Sequence, residues 1–78
     1  MSTSLLNLVM EKPDPERLHV LCNLAENNTG GGIIAPAIVD GARARLISLC
    51  ATNHNWRLMC DRALVERIEH LVPSFGSS

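Results

Sequence analysis

Between Pro36 and Ala51 the apolar positions recur at the helical period. Val39, Ala42, Leu46, Leu49 and Cys50 fall on one face, with Ala35 and Ile38 at its edge; Asp40, Arg43, Ala44 and Ser48 fall on the other. The period is 3.6 and not 2, so the stretch predicts a helix whose wide apolar stripe needs covering. Its neighbours supply the cover. Upstream, Asp14-Pro15-Glu16 reads as a helix start, with Asp14 as the cap, Pro15 in the first turn and Glu16 at the positive end of the dipole. Leu18, Leu21, Cys22 and Ala25 then form a stripe that Val20 and Leu24 widen, until Asn27-Asn28-Thr29 and Gly30-Gly31-Gly32 stop the helix. The triple glycine reads as a hinge that permits a tight hairpin or exchange of the first helix between subunits. Gly41, inside the main helix, costs about 1 kcal/mol relative to alanine and is expected to mark a close helix crossing.

Downstream, Asn53-His54-Asn55 is a predicted break, and a last helix is expected from Trp56 to Leu71. In it Trp56, Cys60, Leu64, Arg67, Ile68 and Leu71 share a face. Pro73 ends the fold, leaving 74–78 as a disordered tail. Leu5 to Met10 is an N-terminal arm or short helix, closed by the Lys12-Pro13 step. Nothing alternates cleanly enough for a strand. The expected architecture is all-α, a small three-helix bundle made of a helical hairpin plus the N-terminal element. The arm takes residues 1–12 and the helical domain 13–73.

Composition sharpens this picture. With 78 residues the chain has one core at most, and with Trp56 and Phe75 as its two aromatic residues that core must be aliphatic. Such a core in so small a domain rarely supplies more than about 3–5 kcal/mol, so a second subunit is the expected supplement. A homodimer is predicted, with Leu5, Leu6, Val9, Trp56, Leu64, Ile68 and Leu71 at its interface. On this view Leu46→Asp abolishes folding. The N-terminal element either packs on its own subunit or reaches across to another, and Leu6→Asp spares the body if the arm is only a contact element.

The net charge is −1 and gives no steering toward phosphates or a membrane surface. Three cysteines are an odd number at spacings unlike a secreted framework, the start lacks a basic leader and an apolar core of sufficient length, and no apolar run spans a bilayer. These features predict a soluble, cytoplasmic protein with reduced thiols. The Asn27-Asn28-Thr29 acceptor pattern then carries no weight.

Candidate chemistry is sparse. His19 with Cys22 and Cys50 with His54 are spaced three and four apart, so a facing hairpin would gather a Cys₂His₂ zinc site. Against that, Cys22 and Cys50 sit within apolar stripes, where cysteine behaves as a small hydrophobe, and no close C-x-x-C pair is present. Inert thiols and no metal or other cofactor are therefore expected. Nucleophilic catalysis would need a substrate cleft of about 300 Å³ or more, which a chain of this size is not expected to form alone. The glycine run lacks the lysine and hydroxyl of a phosphate loop. Arg43, Arg45, Arg57, Arg62 and Arg67 are the basic residues for a nucleic-acid surface, but interleaved Asp40, Asp61, Glu66 and Glu69 make a solvated, salt-bridged face the preferred reading. The expected function is that of a non-enzymatic regulator, adaptor or inhibitor that binds another protein, with a nucleic-acid-binding regulator and a structural zinc module as alternatives.

Overall fold

The computed structural model describes residues 2–27 and 34–76, all in helices and their connections. In chain order the helices are α1 (Ser2–Met10), α2 (Glu16–Ala25), α3 (Pro36–Thr52), α4 (Trp56–Met59), α5 (Arg62–Leu71) and α6 (Pro73–Gly76). The all-α expectation holds. The glycine hinge at 30–32, and Asn28 and Thr29 of the acceptor pattern, lie outside the described residues.

The α2–α3 pair is the most extensive helix packing in the molecule. It joins the two stripes read from the sequence: Leu18, Leu21, Cys22, Leu24 and Ala25 from α2 meet Ala42, Leu46 and Cys50 from α3, all buried. Asn27 shapes the end of α2. Its backbone takes the left-handed φ of 58°, a conformation asparagine tolerates, and its Oδ1 accepts from the Ile34 N–H at 3.0 Å. That bond ties the two ends of the hairpin connection together. No side-chain N or O among the described residues is buried without a partner, and the core is wholly apolar.

Helix α1 is a layer of this core and not a free arm. Leu6 is 4% exposed and Val9 is 2% exposed. Gly41 explains the approach: a Cβ there would lie 2.7 Å from Leu6 Cδ1, so only glycine lets α1 sit so low on α3. The crossing read from Gly41 is real, and α1 packs on its own subunit, so the condition under which Leu6→Asp would spare the body is not met. Arg17 secures the connection, with Nε donating to Asp14 Oδ1 at 2.9 Å and Nη1 to the Met10 carbonyl at 3.2 Å. Asp14 is thereby spent on Arg17 and does not cap α2, whose Ncap is Pro15 without a side-chain bond.

The C-terminal half departs from the single helix expected over 56–71. The chain breaks at Cys60, whose ψ of 148° is extended, and restarts with Asp61 as a true cap, Oδ1 accepting from the Leu64 N–H at 2.8 Å. Trp56, Cys60, Leu64, Ile68 and Val72 are all buried nonetheless, because the four-residue spacing survives the break. Pro73–Gly76, of which 74–76 were expected as tail, form the turn α6, and Phe75 packs on Trp56 with ring centroids 5.8 Å apart. Arg67 ties α5 to α2, donating to Asn23 Oδ1 at 2.7 Å and to both carboxylate oxygens of Glu26 at 2.8 and 3.3 Å.

One chain closes this core. The radius of gyration, 11.9 Å, is close to the roughly 11.5 Å of a compact domain of this length. Among the described residues four large apolar side chains stay outside: Leu5, Leu8, Ile47 and Leu58. The described core residues are thus buried within one chain. No helix among the described residues is long and apolar enough to cross a membrane.

Candidate functional site

The seven residues expected at an interface divide sharply. Leu6, Val9, Trp56, Leu64 and Ile68 face the chain's own core, and Leu71 is half-buried. Leu5 alone is open, at 42% exposure. The physical reason is that the stripes of α1, α2, α3 and α5 face each other, which uses those side chains internally.

The zinc quartet is not assembled. Cys22 and Cys50 are buried, His54 is exposed, and no group of three or more His, Cys, Asp or Glu side chains among the described residues is placed to hold a metal ion. Burial pushes the Cys22 thiol up to about 12, with the Arg67 charge opposing it only in part, and the Cys50 thiol up to about 11. Both are thiols, not thiolates, at neutral pH, and so are poor nucleophiles and poor ligands.

Among the described residues an open groove of about 450 Å³ is lined by Arg57, Cys60, Arg62, Val65, Glu66 and Glu69. Cys60, where the backbone between α4 and α5 is extended, is one of its lining residues. Its charges are balanced. Arg57 lies over the Trp56 ring, 4.5 Å from the centroid, and donates to the Glu69 carboxylate and to the Phe75 carbonyl. Arg62 Nε donates to Glu66 Oε2 at 3.2 Å. Cys60, at the wall, has its thiol pushed up by burial, with Asp14 and Asp61 adding to the effect. No histidine lines the groove. Open to solvent, with each glutamate held by an arginine, it presents a polar contact surface and no activated nucleophile or free base.

The basic set fares similarly. Of the five arginines considered for nucleic acid, Arg57, Arg62 and Arg67 are in ion pairs with Glu69, Glu66 and Glu26. Arg45 folds back on the Gly41 carbonyl at 3.2 Å, and Arg43 is exposed.

The remaining surface feature is α1. Its nine residues carry no charge, and while Leu6 and Val9 face inward, Leu5 and Leu8 point out at 42% and 61% exposure. Sequence reading took the arm Leu5–Met10 as a contact element and singled out Leu5 but not Leu8, although its three-residue offset from Leu5 was the available signal. The Arg57–Glu69 and Arg67–Glu26 ties were likewise missed, because pairs 12 and 41 residues apart leave no local trace.

With the geometry in hand, the chain defines a small all-α protein with a closed single-chain core. Compared with known proteins, it matches no protein-family model, no curated protein and no solved structure.

Proposed function

We propose that this chain is a non-enzymatic recognition protein, a small regulator, adaptor or inhibitor, that works through protein–protein contact and as a homodimer in the cytoplasm. The observation that carries the reading is the outward face of α1. A helix on a protein surface ordinarily turns charged residues to water. This one has none, and it offers Leu5 and Leu8 on a rigid layer pinned by Leu6 over Gly41. Leu58, 85% exposed beside the buried Trp56, is a second apolar point. The buried, protonated thiols and the charge-balanced groove favour contact over chemistry. A nucleic-acid role has less support, since three of the five arginines considered are already matched to glutamates.

The test uses the full chain as bait in extract from its native host, beside a variant carrying Leu5→Asp and Leu8→Asp. Both positions are exposed, so the variant keeps its helicity. A protein retained by the wild type and lost with the variant is the expected result. Equal retention by both, or none by either, contradicts it.

A further inference from the structure

Helix α3 has a second face that the core does not use. Pro36, Ala37, Asp40, Arg43, Ala44 and Ile47 form it, all exposed, at the steps of three and four that keep residues on one stripe. Asp40 and Arg43 are its only charged members, of opposite sign and about one turn apart. Neither is in an ion pair with another described residue, unlike Arg17, Arg57, Arg62 and Arg67. Ile47, 40% exposed, is the large apolar member.

A plus and a minus one turn apart on an exposed helix complement the same pair read in reverse. We propose that a second copy of this chain docks here, α3 against α3, antiparallel about a two-fold axis, with Asp40 of each copy opposite Arg43 of the partner subunit. The charges choose this arrangement over its competitors. Parallel pairing sets Asp40 against Asp40. An antiparallel pairing centred on Ala44 sets Arg43 near Arg45 and leaves Asp40 opposite Ser48. Centring the pair between Gly41 and Ala42 matches both charges twice, and it also places Ile47 against Pro36 of the partner subunit, beside the short side chain of Ala37. Helix α1 lies against Gly41, off this stripe, so Leu5 and Leu8 stay open for another partner. One helix pair of 17-residue helices is at the small end of specific interfaces, so the association is expected to be weak and concentration-dependent.

This assignment rests on the homodimer reading above, and the experiment separates the two. Sedimentation equilibrium is run on the wild type, on Asp40→Arg, on Arg43→Asp, on the two variants mixed, and on the double variant, with helicity checked for each. The wild type is expected to reach twice 8.5 kDa at high micromolar concentration. Each single reversal sets like charges opposite each other twice and weakens self-association about tenfold or more. The equimolar mixture and the double variant, in which opposite charges meet again, recover it. Dimers that survive both single reversals unchanged, or a mixture no tighter than its parts, overturn this pairing and leave the homodimer standing. A wild type that stays at 8.5 kDa throughout overturns both.

Discussion

The seat of Leu6 over Gly41 makes a sign-reversing prediction. In an exposed helix interior, Gly→Ala stabilises by about 1 kcal/mol through propensity alone. At Gly41 the new methyl would lie 2.7 Å from Leu6 Cδ1 and 3.3 Å from Arg45 Nη1. The arginine tip can move aside, but Leu6 is 4% exposed and has packed neighbours on its other sides. Overpacking of that kind costs about 1–3 kcal/mol. The clash outweighs propensity, and Gly41→Ala is expected to destabilise by about 1 kcal/mol. Leu6→Val withdraws the offending Cδ atoms, itself costing about 1–2 kcal/mol. In that background Gly41→Ala should instead stabilise, by up to about 1 kcal/mol, because the propensity gain remains and the obstruction is gone. Urea unfolding followed by far-ultraviolet circular dichroism on the four chains closes the cycle, with a coupling of about 2 kcal/mol expected. If Gly41→Ala stabilises both backgrounds equally, α1 does not sit on α3 as described and the reasoning fails.

Further outcomes follow from the ties and the thiols. The chain has no tyrosine and one lysine, so between pH 9 and 12 its titration is chiefly that of three cysteines. Burial raises the Cys22 thiol from 9.0 to about 12, so the unfolded chain loses that proton first; stability is full below pH 9 and falls as pH rises toward 12. Cys22→Ala should flatten that fall in a series of urea midpoints, and an unchanged slope would count against a buried Cys22. Arg67→Met removes the bonds to Glu26 and Asn23 that hold α5 on α2; a loss of about 1–2 kcal/mol is expected in urea unfolding, and a neutral result would show that tie to be idle. Asp61→Ala takes the cap from α5 and should cost about 1 kcal/mol, with Asp61→Asn nearly neutral. Leu6→Asp, placing a carboxylate at a side chain only 4% exposed, should unfold the whole chain by circular dichroism, as is expected of Leu46→Asp; an intact body would restore the free-arm view.

Much of the fold was legible because it depends on local period. The α3 stripe gave Ala42, Leu46 and Cys50 as core residues, and Gly41 gave the crossing. The break at Cys60 was hidden by the same logic. Trp56, Cys60, Leu64 and Ile68 keep a four-residue spacing straight through it, so the period reads as one helix while Asp61 quietly starts another. Asp14 looked like a cap because Asp-Pro-Glu has that form, but a nearby arginine offered a charged partner and won. The division of the expected interface residues between inside and outside was not legible for a different reason. Apolarity marks what must be covered, and only the tertiary arrangement decides whether the chain's own helices or another molecule does the covering. Leu6 and Ile68 went inward, whereas Leu5 and Leu8 did not.

The central claim, that one chain closes its own core and leaves its outer faces for recognition, is tested most directly by diluting the protein through the range in which the proposed dimer dissociates while watching Trp56. That residue is the chain's one tryptophan and is 5% exposed behind Phe75. Blue-shifted emission and unchanged helicity after dissociation to 8.5 kDa are the expected result. A red shift and loss of helix in step with dissociation would mean that the core needs a second copy, and would contradict the account.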